Sequence, residues 1–197
     1  MNGEFTLRQA SVDDIPHLTC FRLEAQDGIN EALFEDLHLS VEAIIEMEMK
    51  DSGSFEHHEN FWVAQSGDHV SGGMQVFPFD LLEEQAYNPI IPEERLYIEE
   101  PFEELDAPGT YYIHALAVYP AYARRGVASQ LVNHASKLAS ENGFEKLSLY
   151  CLEDNVGAVQ LYEKHGFETI DKRPMPKHPK IKHGGNILLM TSSTSRK

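Results

Sequence analysis

The sequence is poor in cysteine, in positive charge and in long apolar runs, and each shortage argues against a class of protein. Only Cys20 and Cys151 occur, so no disulfide framework is expected, and a zinc centre built on cysteines would lack ligands. Both thiols are expected to be small apolar fillers. No apolar run approaches the ~20 residues of a membrane helix, and the opening "MNGEFTLRQASVDD" has neither the basic flank nor the apolar stretch of a targeting segment. A cytoplasmic protein with no membrane partner is the expectation. Sixteen Lys and Arg face 32 Asp and Glu, a formal net charge of −16. That field repels nucleic acid and draws in cations.

What is present fits one domain, taken as residues 5–194: 197 residues with 42% hydrophobic content can bury a single core. "FTLRQAS" reads as a strand, and Ser11 with Asp14 resembles a capping box before Ile15, Leu18 and Phe21 at helical spacing. Ser40 is a second N-cap, opening a helix with Val41, Ile44, Ile45 and Met49 on one stripe. "FWVAQSGDHVSGGMQVF" predicts an antiparallel hairpin turning at Ser66-Gly67-Asp68. Residues 80–109 hold Pro89, Pro92, Pro101 and Pro108 among many acids and show no sustained period, which predicts a long acidic loop.

"TYYIHALAVYP" then reads as a central strand, with Tyr112, His114, Leu116 and Val118 on one face and Tyr111, Ile113, Ala115 and Ala117 on the other. A helix follows from Val127 to the stop at Asn142-Gly143, then the strand "KLSLYCL", a short helix opened by Asn155, and the strands "FETIDKR" and "NILLMTSST". The strands flanking the Val127 helix should run parallel in an otherwise largely antiparallel sheet, because a right-handed crossover joins them. No internal repeat and no second domain is evident.

Between that central strand and its helix lies "AYARRGVASQL". A helix N-terminus offers unpaired N–H groups and a positive dipole end, and Gly126 and Ala128 leave room for close approach. Arg124 and Arg125 stand against the dipole unless an anion compensates them. The element is neither a P-loop nor a dinucleotide fingerprint, and on its own a small residue in such a turn serves close packing equally well.

"LAVYPAYARRGVASQLV", followed by "DNVGAVQLYEKHGFE", resembles the GNAT superfamily of coenzyme A-dependent N-acetyltransferases. The second block carries the family's Asn-x-x-Ala-x-x-Leu-Tyr-x-Lys-x-Gly-Phe pattern as Asn155, Ala158, Leu161, Tyr162, Lys164, Gly166 and Phe167. The resemblance implies an α/β fold (α+β by some schemes) with a mixed, mostly antiparallel sheet flanked by helices on both faces. It also implies acetyl-CoA as cofactor, held by Leu116, Ala117, Val118, Ala123, Arg124, Arg125, Gly126, Val127, Ala128, Ser129, Asn155, Ala158 and Tyr162. Ala123 departs from the family's Gln or Arg there, which removes one side chain from the phosphate cradle.

The implied reaction is acetyl transfer to a primary amine by direct attack within a ternary complex. The Val118 N–H then polarises the thioester carbonyl, and Tyr162 protonates the leaving thiolate. His114 is the candidate base, since imidazole accepts protons near neutrality, and "YYIHALAV" is similar to the "HLHVLAV" strand of serotonin N-acetyltransferases, with Tyr112 at the other histidine position. The competing readings are core packing for Tyr162 and a hydrogen-bonded core histidine for His114. A catalytically silent acyl-CoA sensor is the alternative for the whole chain, and a homodimer rests on family habit alone. No metal is implied. Glu99, Glu100, Glu103 and Glu104 are candidates for holding an ammonium substrate, and the basic segment 172–185 for coenzyme phosphates or the substrate mouth.

Overall fold

Period-two segments join one seven-stranded sheet, and helices opened by short polar caps pack on its two faces. The computed structural model describes residues 5–84 and 90–194. In chain order come β1 (Thr6–Gln9), α1 (Ile15–Ala25), α2 (Ile29–Leu33), α3 (Val41–Lys50), β2 (Phe61–Ser66) and β3 (His69–Pro78). Then follow α4 (Phe79–Glu84), α5 (Glu100–Glu103), β4 (Tyr111–Val118), α6 (Val127–Glu141), β5 (Lys146–Leu152), α7 (Val156–Lys164), β6 (Glu168–Pro174) and β7 (Asn186–Ser193). The sheet order is β1-β2-β3-β4-β5-β7-β6. Among the described residues only β4 and β5 pair in parallel, as the crossover through α6 requires.

The caps act where the sequence places them. Asp14 accepts from the Ser11 backbone N–H at 2.8 Å and from both terminal nitrogens of Arg8 at 2.7 and 2.8 Å, which fixes the entry to α1. Ser40 Oγ accepts from the Ala43 amide at 3.2 Å, and Asn155 Oδ1 from the Ala158 amide at 3.3 Å. At the α1–α2 turn, Gly28 has φ +91°, and a Cβ there would lie 1.9 Å from the Lys180 carbonyl oxygen. Only glycine allows the 178–183 segment to dock so closely on this turn.

One face of the sheet is covered by α6, whose Val127, Leu131, Val132, Ala135 and Ala139 pack on Val76, Ile113, Leu147 and Leu149. The opposite face meets α1 and α3 through Phe21, Ile45 and Met49 against Phe61, Val63 and Ala117. A further cluster on that side gathers Phe77, Phe79, Tyr112, Ile98, Leu105 and Leu189. Each large side chain so buried contributes roughly 1.5–3 kcal/mol.

Three expectations need correction. The predicted acidic loop carries α4, α5 and a 3-10 turn over Glu93–Ile98, folded because Phe79, Ile98 and Leu105 anchor it in the core; its Pro89 lies outside the described residues. Cys20 is exposed, while Cys151 is buried as expected. Strict alternation along β4 fails: Ile113 pairs with Val76 and Ala115 with Gln75, so His114 is an extra residue with no partner in β3. This bulge leaves Tyr112 facing the second cluster and carries Leu116 and Val118 over to the α6 side with Tyr111 and Ile113.

Candidate active site

The β4–β5 ladder runs only from Tyr111↔Leu147 to Ile113↔Leu149. Beyond it β4 stays with β3 as far as Val118↔Gly72, and β5 stays with β7 as far as Leu152↔Ile187. The strands part, and a cavity of about 1010 Å³ opens between them. Leu116, Ala117 and Val118 line one wall; Cys151, Asn155, Ala158 and Tyr162 line the other. Tyr119 donates its N–H to Ser71 of the β3 side at 3.0 Å, so alternation turns the Val118 N–H toward the gap that β5 has left. Backbone groups along such an edge are ready to bond a ligand.

At the outer end of β4 the chain makes a 3-10 turn over Pro120–Tyr122 and enters α6. Arg124 (φ 60°) and Gly126 (φ 88°) are both left-handed, and left-handed residues of this kind recur in anion-binding backbone concavities. No side chain caps the first turn of α6, and a Cβ on Gly126 would meet nothing within 4 Å. Ala123, Arg124, Arg125 and Gly126 are exposed, Ala128 and Ser129 are half-buried, and Val127 is buried. The Arg125 guanidinium lies 5.6 Å over the Tyr122 ring. This turn therefore stands outside the cavity wall, open to a ligand that continues out of the cleft. Asn155 is partly committed elsewhere: besides capping α7 it donates to Asp27 Oδ2 at 3.3 Å.

His114 belongs to a buried charge network that the sequence did not reveal. Its Nε2 lies 3.2 Å from Glu56 Oε1, and Glu56 accepts from Arg22 Nε at 3.0 Å and from Nη2 at 2.7 Å. Burial alone would raise the Glu56 carboxyl, but Arg22 and His114 overcome it and hold Glu56 far below the usual carboxylate range. Burial lowers the His114 pKa, Arg22 lowers it further, and Glu56 opposes both. A lowered pKa favours the neutral imidazole at pH 7; facing an ionised carboxylate, Nε2 is the nitrogen that carries the proton, which leaves the lone pair on Nδ1. Tyr112 Oη lies 3.4 Å from that nitrogen.

Glu56 is placed by its own loop. Its amide donates to Ser54 Oγ at 3.0 Å, and the neighbouring Phe55 carbonyl accepts from Asn60 Nδ2 and Gln75 Nε2 at 2.8 and 3.0 Å. The available signal lay in α1, where Arg22 follows Ile15 and Leu18 on the buried stripe. A charge there demands a buried partner.

Tyr162 is 8% exposed, packs edge-on against Phe167, and has a phenol whose pKa burial pushes well up. Burial likewise pushes the Cys151 thiol up to about 12. Of the four candidate acids, Glu99 and Glu103 line the cavity, whereas Glu104 pairs with Arg173 at 2.8 Å and Glu100 is exposed away from the wall. Burial and the neighbouring Glu103 raise Glu99 to about 7. From the basic segment, His183 reaches the cavity, while Lys180 and Lys182 pair with Glu35 and Glu24.

Comparison with solved structures shows the fold: an N-acetyltransferase from Staphylococcus aureus Mu50 superposes with TM-score 0.69 over 94% of this chain and 99% of that one, at 23% identity. A putative acetyltransferase of Salmonella typhimurium, yncA, solved with its cofactor acetyl-CoA, gives TM-score 0.59 over 98% of this chain and 96% of that one, at 13% identity. The chain has an acetyltransferase fold. The acetyltransferase (GNAT) family profile matches residues 29–167, and the chain belongs to that family. It is 43% identical over 56 residues to the N-alpha-acetyltransferase MAK3 of Arabidopsis thaliana, which is 28% of this chain and 30% of that protein. Matches to the curated relatives span between 21% and 40% of their lengths.

Proposed function

We propose that this chain transfers the acetyl group of acetyl-CoA to a primary amine by direct attack within a ternary complex. The observation that carries the reading is the parting of β4 and β5 after Ile113↔Leu149, which opens the free edge of β4 into a cavity running toward the uncapped N-terminus of α6. Bound acetyl-CoA supplies an activated acyl thioester and a thiolate leaving group. The first-turn amides of α6, with Arg124 and Arg125, suit its diphosphate. A Cβ on Gly126 would meet nothing within 4 Å, so the turn offers open space for that group. The Val118 N–H is the donor for the thioester oxygen, where developing negative charge is best stabilised.

His114 takes the amine proton at Nδ1, directly or through the Tyr112 hydroxyl that neighbours it. Glu56 is a positioning residue: it holds the tautomer and offsets the charge left on the ring. Tyr162 stays protonated at neutral pH and can deliver its proton to the departing sulfur. Cys151 lines the cavity but remains a thiol under the same conditions, which favours direct attack over an acyl-cysteine route. Titration calorimetry with acetyl-CoA, thiol release across an amine panel, and intact-protein mass before amine addition test the scheme together. Uptake of acetyl-CoA, amine-dependent thiol release and an unmodified protein are expected. Binding without release on any amine rejects the transfer, and a protein acetylated before amine is added rejects the direct attack.

A further inference from the structure

The turn that ends α1 spans the cleft. Gln26 Nε2 donates to the carbonyl of His114, the bulged residue of β4, at 3.4 Å. The next residue, Asp27, accepts at Oδ2 from Asn155 Nδ2 at 3.3 Å, and Asn155 caps α7, the helix that carries Tyr162. Two adjacent residues thus tie the β4 wall to the wall formed by β5 and α7, across the gap where the strands part. Asp27 lines the cavity in that gap, and its side chain is 15% exposed.

The Asp27 carboxylate is held in place without being neutralised. His183 Nε2 lies 3.8 Å from Oδ1, too far for a hydrogen bond, and the same imidazole is closer to Asp154, 3.2 Å away through Nδ1. Lys182 gives the Asp27 carbonyl its amide at 2.7 Å, while its ammonium pairs with Glu24 at 3.4 Å. Burial raises the Asp27 carboxyl against the opposing pull of His183, Asn155 and Lys182. A carboxyl whose pKa rises on folding costs stability once it ionises, so at neutral pH Asp27 is a burden to the fold that an incoming cation would relieve. Residues kept at such a cost are characteristic of functional sites. Other carboxyls line the cavity as well; the tie to both parted walls is what singles this one out.

We propose that Asp27 is a specificity-determining residue of the acceptor site: its carboxylate docks the substrate's ammonium in the gap between β4 and β5 and so selects amines that arrive as cations. This rests on the amine-acetyltransferase reading above and deepens it. The docked ammonium gives up one proton before attack, to His114 in that scheme. The variant that isolates the charge is Asp27→Asn, which keeps the volume and an acceptor oxygen for Asn155 and tolerates the left-handed backbone at this position (φ 52°).

The test uses the full chain with saturating acetyl-CoA near neutral pH. Benzylamine, 1,4-diaminobutane and Nα-acetyl-lysine amide are cations there; aniline and methoxyamine are neutral. Asp27→Asn should raise KM for the cationic amines by about tenfold or more, the worth of a hydrogen bond to a charged group, with a smaller change in kcat. KM for the neutral pair and the acetyl-CoA affinity by calorimetry should stay within about twofold, and the Tm should hold or rise. As a second readout, raising NaCl from about 0.05 to 0.5 M should raise KM for benzylamine more in the wild type than in the variant. An unchanged KM for the cationic amines overturns the proposal and leaves acetyl transfer standing. So does a parallel rise for cationic and neutral amines, an equal response to salt, or a larger rise from Glu103→Gln, which would move the ammonium to another wall. Acetyl-CoA uptake with no thiol release on any of the five amines overturns the transfer reading itself.

Discussion

Replacing Glu56 by glutamine removes one charge from the centre of the site while keeping its volume. The side chain of Arg22 is 9% exposed and that of Glu56 5%, and Arg22 Nη1 is already buried without a hydrogen-bond partner. Breaking a buried pair by neutralising one member costs about 3–5 kcal/mol. Glutamine keeps one acceptor oxygen for Arg22, so the lower end, about 3 kcal/mol, is expected. At about 2–4 °C per kcal/mol for a chain of this size, the Tm should fall by roughly 6–12 °C.

The kinetic effect has a definite sign. As the proposed base, His114 would act when neutral, so its protonation would set the acid limb of kcat/KM. Burial and Arg22 lower that pKa while Glu56 raises it; with Glu56 gone the limb must move to still lower pH. The plateau should fall about tenfold or more, because a less basic and unoriented imidazole surrenders part of the roughly 10²–10⁴-fold that a general base supplies. Stopped-flow thiol detection from pH 5 to 9, below the Tm of the variant, reads both quantities. A limb that stays put or moves upward while the Tm drops would show that the network only holds the fold together.

Three other outcomes follow from the same geometry. Tyr162→Phe should lower kcat by about 10²-fold, with acetyl-CoA affinity by calorimetry within a factor of about two; equal losses in both would assign Tyr162 to packing. Asp14 is held at about 2, chiefly by its hydrogen bonds from Arg8. Its folded-state pKa is depressed, so its stabilisation of about 2 kcal/mol is complete above the ordinary value near 4 and is lost as pH falls through about 2. Urea titrations should therefore show Asp14→Asn weaker than wild type at pH 7 and the gap shrinking toward pH 2. Gly28→Ala puts a Cβ 1.9 Å from the Lys180 carbonyl oxygen, so backbone must move; hydrogen exchange should quicken at Lys182, whose amide bonds the Asp27 carbonyl at 2.7 Å, and unchanged protection there would reject the docking of segment 178–183.

Elements governed by local chemistry could be read from the sequence. The caps at Ser40 and Asn155, the turn at Ser66–Asp68, the stripe of α6 and the parallel pairing across it all stand where residue spacing puts them. Features made by contact between distant segments could not. α4 and α5 have no period of their own and depend on Phe79, Ile98 and Leu105 finding the core. Glu56 sits in a polar stretch 34 residues from Arg22, and nothing adjacent to it in the chain announces a buried carboxylate. Of the residues in the paired blocks, Leu116, Ala117, Val118, Asn155, Ala158 and Tyr162 line the cavity, yet the role of the Asn155 side chain as a cap that also bonds Asp27 appears only in three dimensions.

The bulge in β4 ties these observations into one cause. Without it, His114, Leu116 and Val118 would share a face, and the larger side chains would crowd the compartment that Tyr112 and His114 enter. One extra residue at His114 keeps the imidazole beside Tyr112 and sends Leu116 and Val118 to pack with α6. A bulge also sharpens the local right-handed twist and bends its strand. The last β4–β5 pair is Ile113↔Leu149, immediately before the bulged residue, so the strands part where the twist changes. The same insertion therefore aims the proposed base and opens the cleft for the group it serves, which is why neither feature follows from the alternation of residues 111–118 taken alone.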